Sequence, residues 1–271
     1  MTASLIVSSG LAQQAAAVTP AVATEEPPVV TSHSERTASL VTPTALLTPA
    51  AAMPALRGRV LLGADAQTPS GSLDGVRPLV AAELGLGKGL TLGAGSRWVG
   101  GDTVTGTSGL APYGQLRLQV FGDAQRHGAV GGVSLTYKQV GFRGGERELE
   151  AGFTTTYRSR WVEMGGQVVV GQSLREGEEH DGELRAYVAA RVLPNLSLGL
   201  TGQVRTRLGE EDEAERAKEG GPEGREWDAL GGVLASLYVS DVQVGLVGGV
   251  TTQALSSSVG AYGQAFVGYL F

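Results

Sequence analysis

Beyond residue 57 the chain alternates apolar and polar positions in segments of about ten residues. Period-2 alternation puts successive side chains on opposite faces of an extended strand, so each segment predicts an amphipathic β-strand. Strands are expected near 57–67, 76–86, 90–99, 110–121, 129–140, 148–158, 161–172, 183–192, 195–207, 226–239, 242–252 and 258–271. Residues 115–120 show the pattern well: Gln115, Arg117 and Gln119 point one way, and Leu116, Leu118 and Val120 the other. Strand 183–192 repeats it, with Glu183, Arg185 and Arg191 set against Leu184, Ala186, Val188, Ala190 and Val192. In the last segment Val259, Ala261, Ala265, Val267, Tyr269 and Phe271 share one face, and Gly260, Tyr262, Gln264 and Gly268 the other.

The connections alternate as well. Gly87-Lys88-Gly89, Ser159-Arg160, Leu193-Pro194 and Ser240-Asp241 are short, and 122–128 is moderate. Between them lie the mostly longer stretches 68–75, 100–109, 141–147, 173–182, 208–225 and 254–257. One rim of tight turns and one rim of long loops is the layout of an up-and-down barrel. Pro69, Pro194 and Pro222 fall in connections, and Pro78 and Pro112 near strand starts, where a missing N–H costs no central ladder bond.

A terminal aromatic closing an amphipathic strand, as Phe271 does here, resembles Gram-negative outer-membrane β-barrels of the small porin-like kind. That family's pattern has a glycine where Phe266 stands; this chain has its glycine at Gly268. The resemblance implies an all-β fold: a transmembrane antiparallel up-and-down barrel of about 12 strands, inserted by the barrel-assembly machinery. An even strand count implies that both termini are periplasmic. A soluble sandwich or lipocalin-like barrel is the rival architecture; strand length, loop alternation and the terminal aromatic favour the membrane barrel.

Composition divides the chain. Of 42 glycines only Gly10 precedes Gly58, which sets a boundary near residue 57. Residues 57–271 are then the barrel. Residues 1–18, with Leu5, Ile6 and Val7 ahead of small residues, read as a signal-peptide remnant. Residues 19–56, rich in Pro, Thr and Ala with few charges, read as a disordered periplasmic linker. No run approaches 18 consecutive apolar residues, so no helical span is predicted. The absence of cysteine argues against a disulfide framework and against thiolate metal sites. A net charge of −6 gives no electrostatic reason to expect nucleic acid.

If the apolar parity faces lipid, the lumen receives Arg59, Asp65, Arg77, Glu83, Arg97, Arg117, Lys138, Glu148, Glu150, Arg158, Glu163, Arg185 and Arg205. These charges fit two arrangements: an ion-pair network bracing the wall, or a solvated channel. Twelve tilted strands give a backbone radius of about 12 Å, room for a narrow pore before long side chains fold inward. Arginine in excess over acid would favour anions. Trp98, Tyr137 and Trp227 near the long-loop ends, with Tyr157, Tyr269 and Phe271 near the short turns, are the expected interfacial girdles. Tyr113, Phe121, Trp161 and Tyr238 fall on the other parity, as residues lining the mouths or as signs of shifted registers.

The acidic loop 208–225 and the stretch Glu178–Asp181 around His180 could meet lipopolysaccharide through divalent cations, but solvated loops are the simpler reading, and no metal site is assigned. Some outer-membrane barrels are enzymes. A serine hydrolase needs a histidine beside its serine, and His33, His127 and His180 are placed in the linker, a turn and a loop. No HExxH or phosphate-binding loop is present. The sequence therefore points to a non-enzymatic barrel without a cofactor. It is expected to act as a porin-like passive channel for small solutes. The alternative is a non-conducting barrel that anchors or scaffolds an envelope complex in surface assembly, secretion or motility. No helical plug is evident between the strands, which leans towards the channel, while the long linker leans towards a partner.

Overall fold

The computed structural model describes residues 38, 40–68, 76–99, 109–139, 147–174, 180–208, 227–252 and 259–271. The segment 1–18, the first half of the expected linker and most of the long connections, with 209–226 and Glu178, lie outside the described residues.

Twelve antiparallel strands close into one barrel, each hydrogen-bonded to its chain neighbours and the last to the first. They are β1 (Gly58–Thr68), β2 (Val76–Gly87), β3 (Leu90–Val99), β4 (Gly109–Phe121), β5 (Gly128–Gln139), β6 (Arg147–Arg158), β7 (Val162–Ser173), β8 (His180–Leu193), β9 (Leu196–Leu208), β10 (Trp227–Val239), β11 (Val242–Thr252) and β12 (Val259–Leu270). The alternation places all but one start within two residues. The exception is β8, which begins three residues early, so His180 stands on a strand and not in a loop. Its register partner there is Leu208 of β9.

Closure comes from pairing β1 with β12, from Arg59 opposite Leu270 to Thr68 opposite Ala261. With no free edge, every strand has a ladder on both sides, which is what a sheet needs inside hydrocarbon. The tight turns gather at one rim, the turn end. Gly87-Lys88-Gly89 makes its reversal with all three residues left-handed, Lys88 at φ 51°. The six long connections leave from the other rim, the loop end.

The outward face is apolar: Leu62, Val168, Leu200, Val233 and Leu246 are each more than half exposed. Among the described residues this parity carries no charged side chain until Arg147, at the loop end of β6. Such a surface is stable only against hydrocarbon, and the charged parity therefore points inward.

Aromatic rings brace the wall over glycines directly across the ladder. Tyr113 lies over Gly95, Tyr187 over Gly165, Phe266 over Gly245 and Phe121 over Gly131. A Cβ at Gly95 would meet the Tyr113 ring at 2.6 Å, so each glycine is a recess for its ring. This accounts for the departure at Phe266. Its ring is buried inside the barrel against Gly245, and a glycine there would leave that recess empty. Phe121 faces outward because a bulge between Gln119 and Phe121 shifts the register by one residue. Tyr113 and Tyr238 do face inward, whereas Trp161 projects from the Ser159–Trp161 turn beneath the Arg160 guanidinium, 4.8 Å away.

Candidate functional site: a charged lumen with an inserted segment

Among the described side chains each lumen charge has an opposite charge beside it. Glu83 sits between Arg59 and Arg117, both at 3.2 Å. Asp65 takes Arg77 at 2.6 Å and Arg97 at 3.4 Å. Lys138 of β5 reaches both Glu148, at 3.8 Å, and Glu150 of β6. Arg185 pairs with Glu183, and Arg205 with Asp181. At the turn end Glu163 is fully buried; Arg158 donates to it at 2.8 Å, the Tyr187 hydroxyl at 3.3 Å, and Arg191 stands at 4.0 Å. The structure thus brings all the lumen residues named from parity onto one inner surface and ties them into ion pairs, between strands except for Arg185 with Glu183 inside β8. Sequence reasoning left Asp181, Glu183 and Arg191 out of this set, although the last two share the polar parity of Arg185.

The girdle residues sit on the outward face. Tyr137 and Trp227 lie at the loop end, and Tyr157, Tyr269 and Phe271 at the turn end, all of them exposed. Tyr269 and Phe271 stack with centroids 6.4 Å apart. Trp98 occupies β3 opposite Leu110, and its side chain lies outside the described residues.

Ala38 and residues 40–53 lie inside the barrel, and Pro54, Ala55 and Leu56 are exposed where the chain leaves it for β1. The segment read as a periplasmic linker therefore divides at the described boundary, and its second half is a re-entrant loop in the lumen. It starts at the turn end, where Arg158 donates to the carbonyls of Ala38 and Val41 and Gln243 donates to Thr42 O at 2.7 Å. Thr42 closes the bend by donating to Thr44 O and Leu47 O, at 2.7 and 3.1 Å. At mid-strand height Arg185 donates to Leu46 O, and Thr48 N donates to Gln167 at 3.2 Å. The chain then descends: Ala52 N donates to Gln119 and Met53 N to Thr91, both at 2.9 Å. Leu56 N finally donates to Gly85 O at 2.9 Å, leading into β1.

Packing explains why this segment fits. Leu46 and Leu47 bury against Tyr187, Ala189, Leu234, Val247 and Tyr262, and Val41 and Met53 against Tyr238 and Leu270. Ala50 and Ala51 pack on Val130. Two inward glycines admit its backbone: a Cβ at Gly132 would meet Ala50 O at 2.6 Å, and one at Gly85 would collide with the carbonyls of Met53 and Pro54. The available sequence signal was a run without charge from Thr37 to Leu56, bounded by Arg36 and Arg57.

Beyond the apex of the inserted loop the lumen keeps a cavity of about 270 Å³. Thr44 and Thr48 form its floor, and Arg97, Tyr113, Gln115 and Lys138 stand in its wall. Among the described residues no group of three His, Asp or Glu is placed to hold a metal ion.

No protein-family model matches the chain, and no curated protein matches it. Solved structures do. The KdgM porin in complex with disordered oligogalacturonate matches with a TM-score of 0.53 at 8% identity, over 78% of this chain and 98% of that one. An outer membrane channel from Pseudomonas putida F1 also matches at a TM-score of 0.53, with 11% identity, over 83% and 100%. The likeness is one of fold: a closed twelve-stranded antiparallel barrel of the kind found in outer-membrane porins and channels.

Proposed function

We propose that the protein is a porin-like passive channel for small polar solutes in the outer membrane, with the turn end and both termini on the periplasmic side. The observation that carries this reading is the inner wall. Its charges are each compensated by a neighbouring opposite charge, so this part of the wall can stand in water. The cavity of about 270 Å³ above the inserted loop is the part of that path open in this conformation. Arginine and lysine outnumber carboxylates among the paired side chains, which favours anions over cations. Outer-membrane lipid, lipopolysaccharide and the barrel-assembly machinery are the partners this reading requires.

A second reading, a non-conducting barrel that anchors an envelope complex, is favoured by one observation: residues 40–53 occupy the turn-end half of the lumen. Planar-bilayer recording of the purified, folded chain tests the two. Discrete conductance steps, with a reversal potential shifted towards anion selectivity in a salt gradient, are expected. Silence in the native chain and in variants that displace the inserted loop would remove the channel and leave the anchor.

A further inference from the structure

We infer that residues 38–56 are a releasable gate and not a fixed part of the barrel core. The inference rests on the channel reading and adds its regulation. Three observations carry it.

The first is topological. Ala38 and Leu56 both lie at the turn end, and the loop rises only to mid-strand height at Leu46 and Thr48. It can withdraw towards that end without passing through the opposite rim, and tension on residue 38 pulls in the direction of exit.

The second is electrostatic. The sequence from Ala38 to Leu56 has no charged side chain, so the inserted segment makes no ion pair with the wall. Most of the wall groups that hold it are neutral: Thr91, Gln115, Gln119, Gln167 and Gln243. Water replaces such bonds at small net cost, about 0.5–1.5 kcal/mol each. Among the described residues only Arg158 and Arg185 give charged donors to it, and each keeps its own carboxylate, Glu163 or Glu183, after withdrawal. Opening therefore strands no buried charge.

The third is steric. The loop backbone seats on Gly85 and Gly132, and neither position has room for a side chain while the loop is in place. These recesses give the closed state a defined position on the wall.

The chain has no cysteine, so an introduced pair is unambiguous. Ala51 and Val130 share one buried cluster. The full-length A51C/V130C protein, folded as judged by heat-modifiable gel mobility, is recorded in planar bilayers under oxidising and then reducing conditions. The disulfide is expected to hold the channel closed, and reductant to raise open probability at least tenfold. Gly85→Val and Gly132→Val, which push the loop off the wall, are expected to raise open probability without a disulfide, and either suffices if the other fails to fold. Equal open probability and unitary conductance in the locked, reduced and valine variants would overturn the gate while leaving the channel intact. No conductance from any of them would overturn both.

Discussion

Substituting Glu163 by Gln removes one negative charge at the point where the wall and the inserted loop meet. The Glu163 side chain is 0% exposed, and its cationic neighbours Arg158 and Arg191 are 11% and 4% exposed. Glutamine preserves the shape and one acceptor for the Arg158 guanidinium at 2.8 Å. What it loses is the charge that compensates two arginines shielded from water. Removing one partner of a buried pair costs about 3–5 kcal/mol, because the remaining charge keeps its desolvation penalty. A Coulomb estimate at 4 Å with an effective dielectric of about 20 gives roughly 4 kcal/mol, the same range. With one acceptor retained, the expected loss is about 3 kcal/mol. Urea titration of the protein folded in lipid vesicles, followed by tryptophan fluorescence, measures it. A change below about 1 kcal/mol, the value typical of exposed pairs, would show that water already solvates this cluster and refute the reasoning.

Two further perturbations test other parts of the fold. Leu200→Arg puts a cation at the middle of β9 on the outward face, opposite Val233, and should cost about 2–4 kcal/mol in vesicles. A neutral or stabilising effect would mean that this face does not meet hydrocarbon. Gly245→Val fills the recess under the Phe266 ring and should cost about 1–3 kcal/mol through overpacking. Restoration of urea stability by the double variant Gly245→Val with Phe266→Gly would identify the ring contact as the cause, and no recovery would locate it elsewhere.

The strands were legible because period-2 alternation is a local property of ten residues. The outward apolar parity shifted at bulges near the turns, at Val120 and Phe121, where a ring moved to the other face, and likewise at Leu86 and Val192. β8 started early because His180 and Asp181 lie in a polar stretch with no alternation, and its ladder with β9 extends it: Asp181 stands opposite Arg207 and makes its ion pair with Arg205, two residues earlier in that strand. The misplaced glycine of the last strand became intelligible only once Phe266 was seen against Gly245, a partner on the neighbouring strand. The inserted loop was the largest miss. Its Pro, Thr and Ala composition describes a chain without local structure, and composition cannot distinguish a segment in water from one held in a lumen.

The sequence by itself determined the number of strands, which side chains of each share a face and the rim to which each connection belongs. These follow from alternation and spacing, which neighbouring residues fix among themselves. The tertiary structure decided which carboxylate meets which arginine and where residues 38–56 lie. Both depend on closure: only when β1 pairs with β12 do side chains from distant strands share one interior, with recesses at Gly85 and Gly132 that admit an uncharged segment.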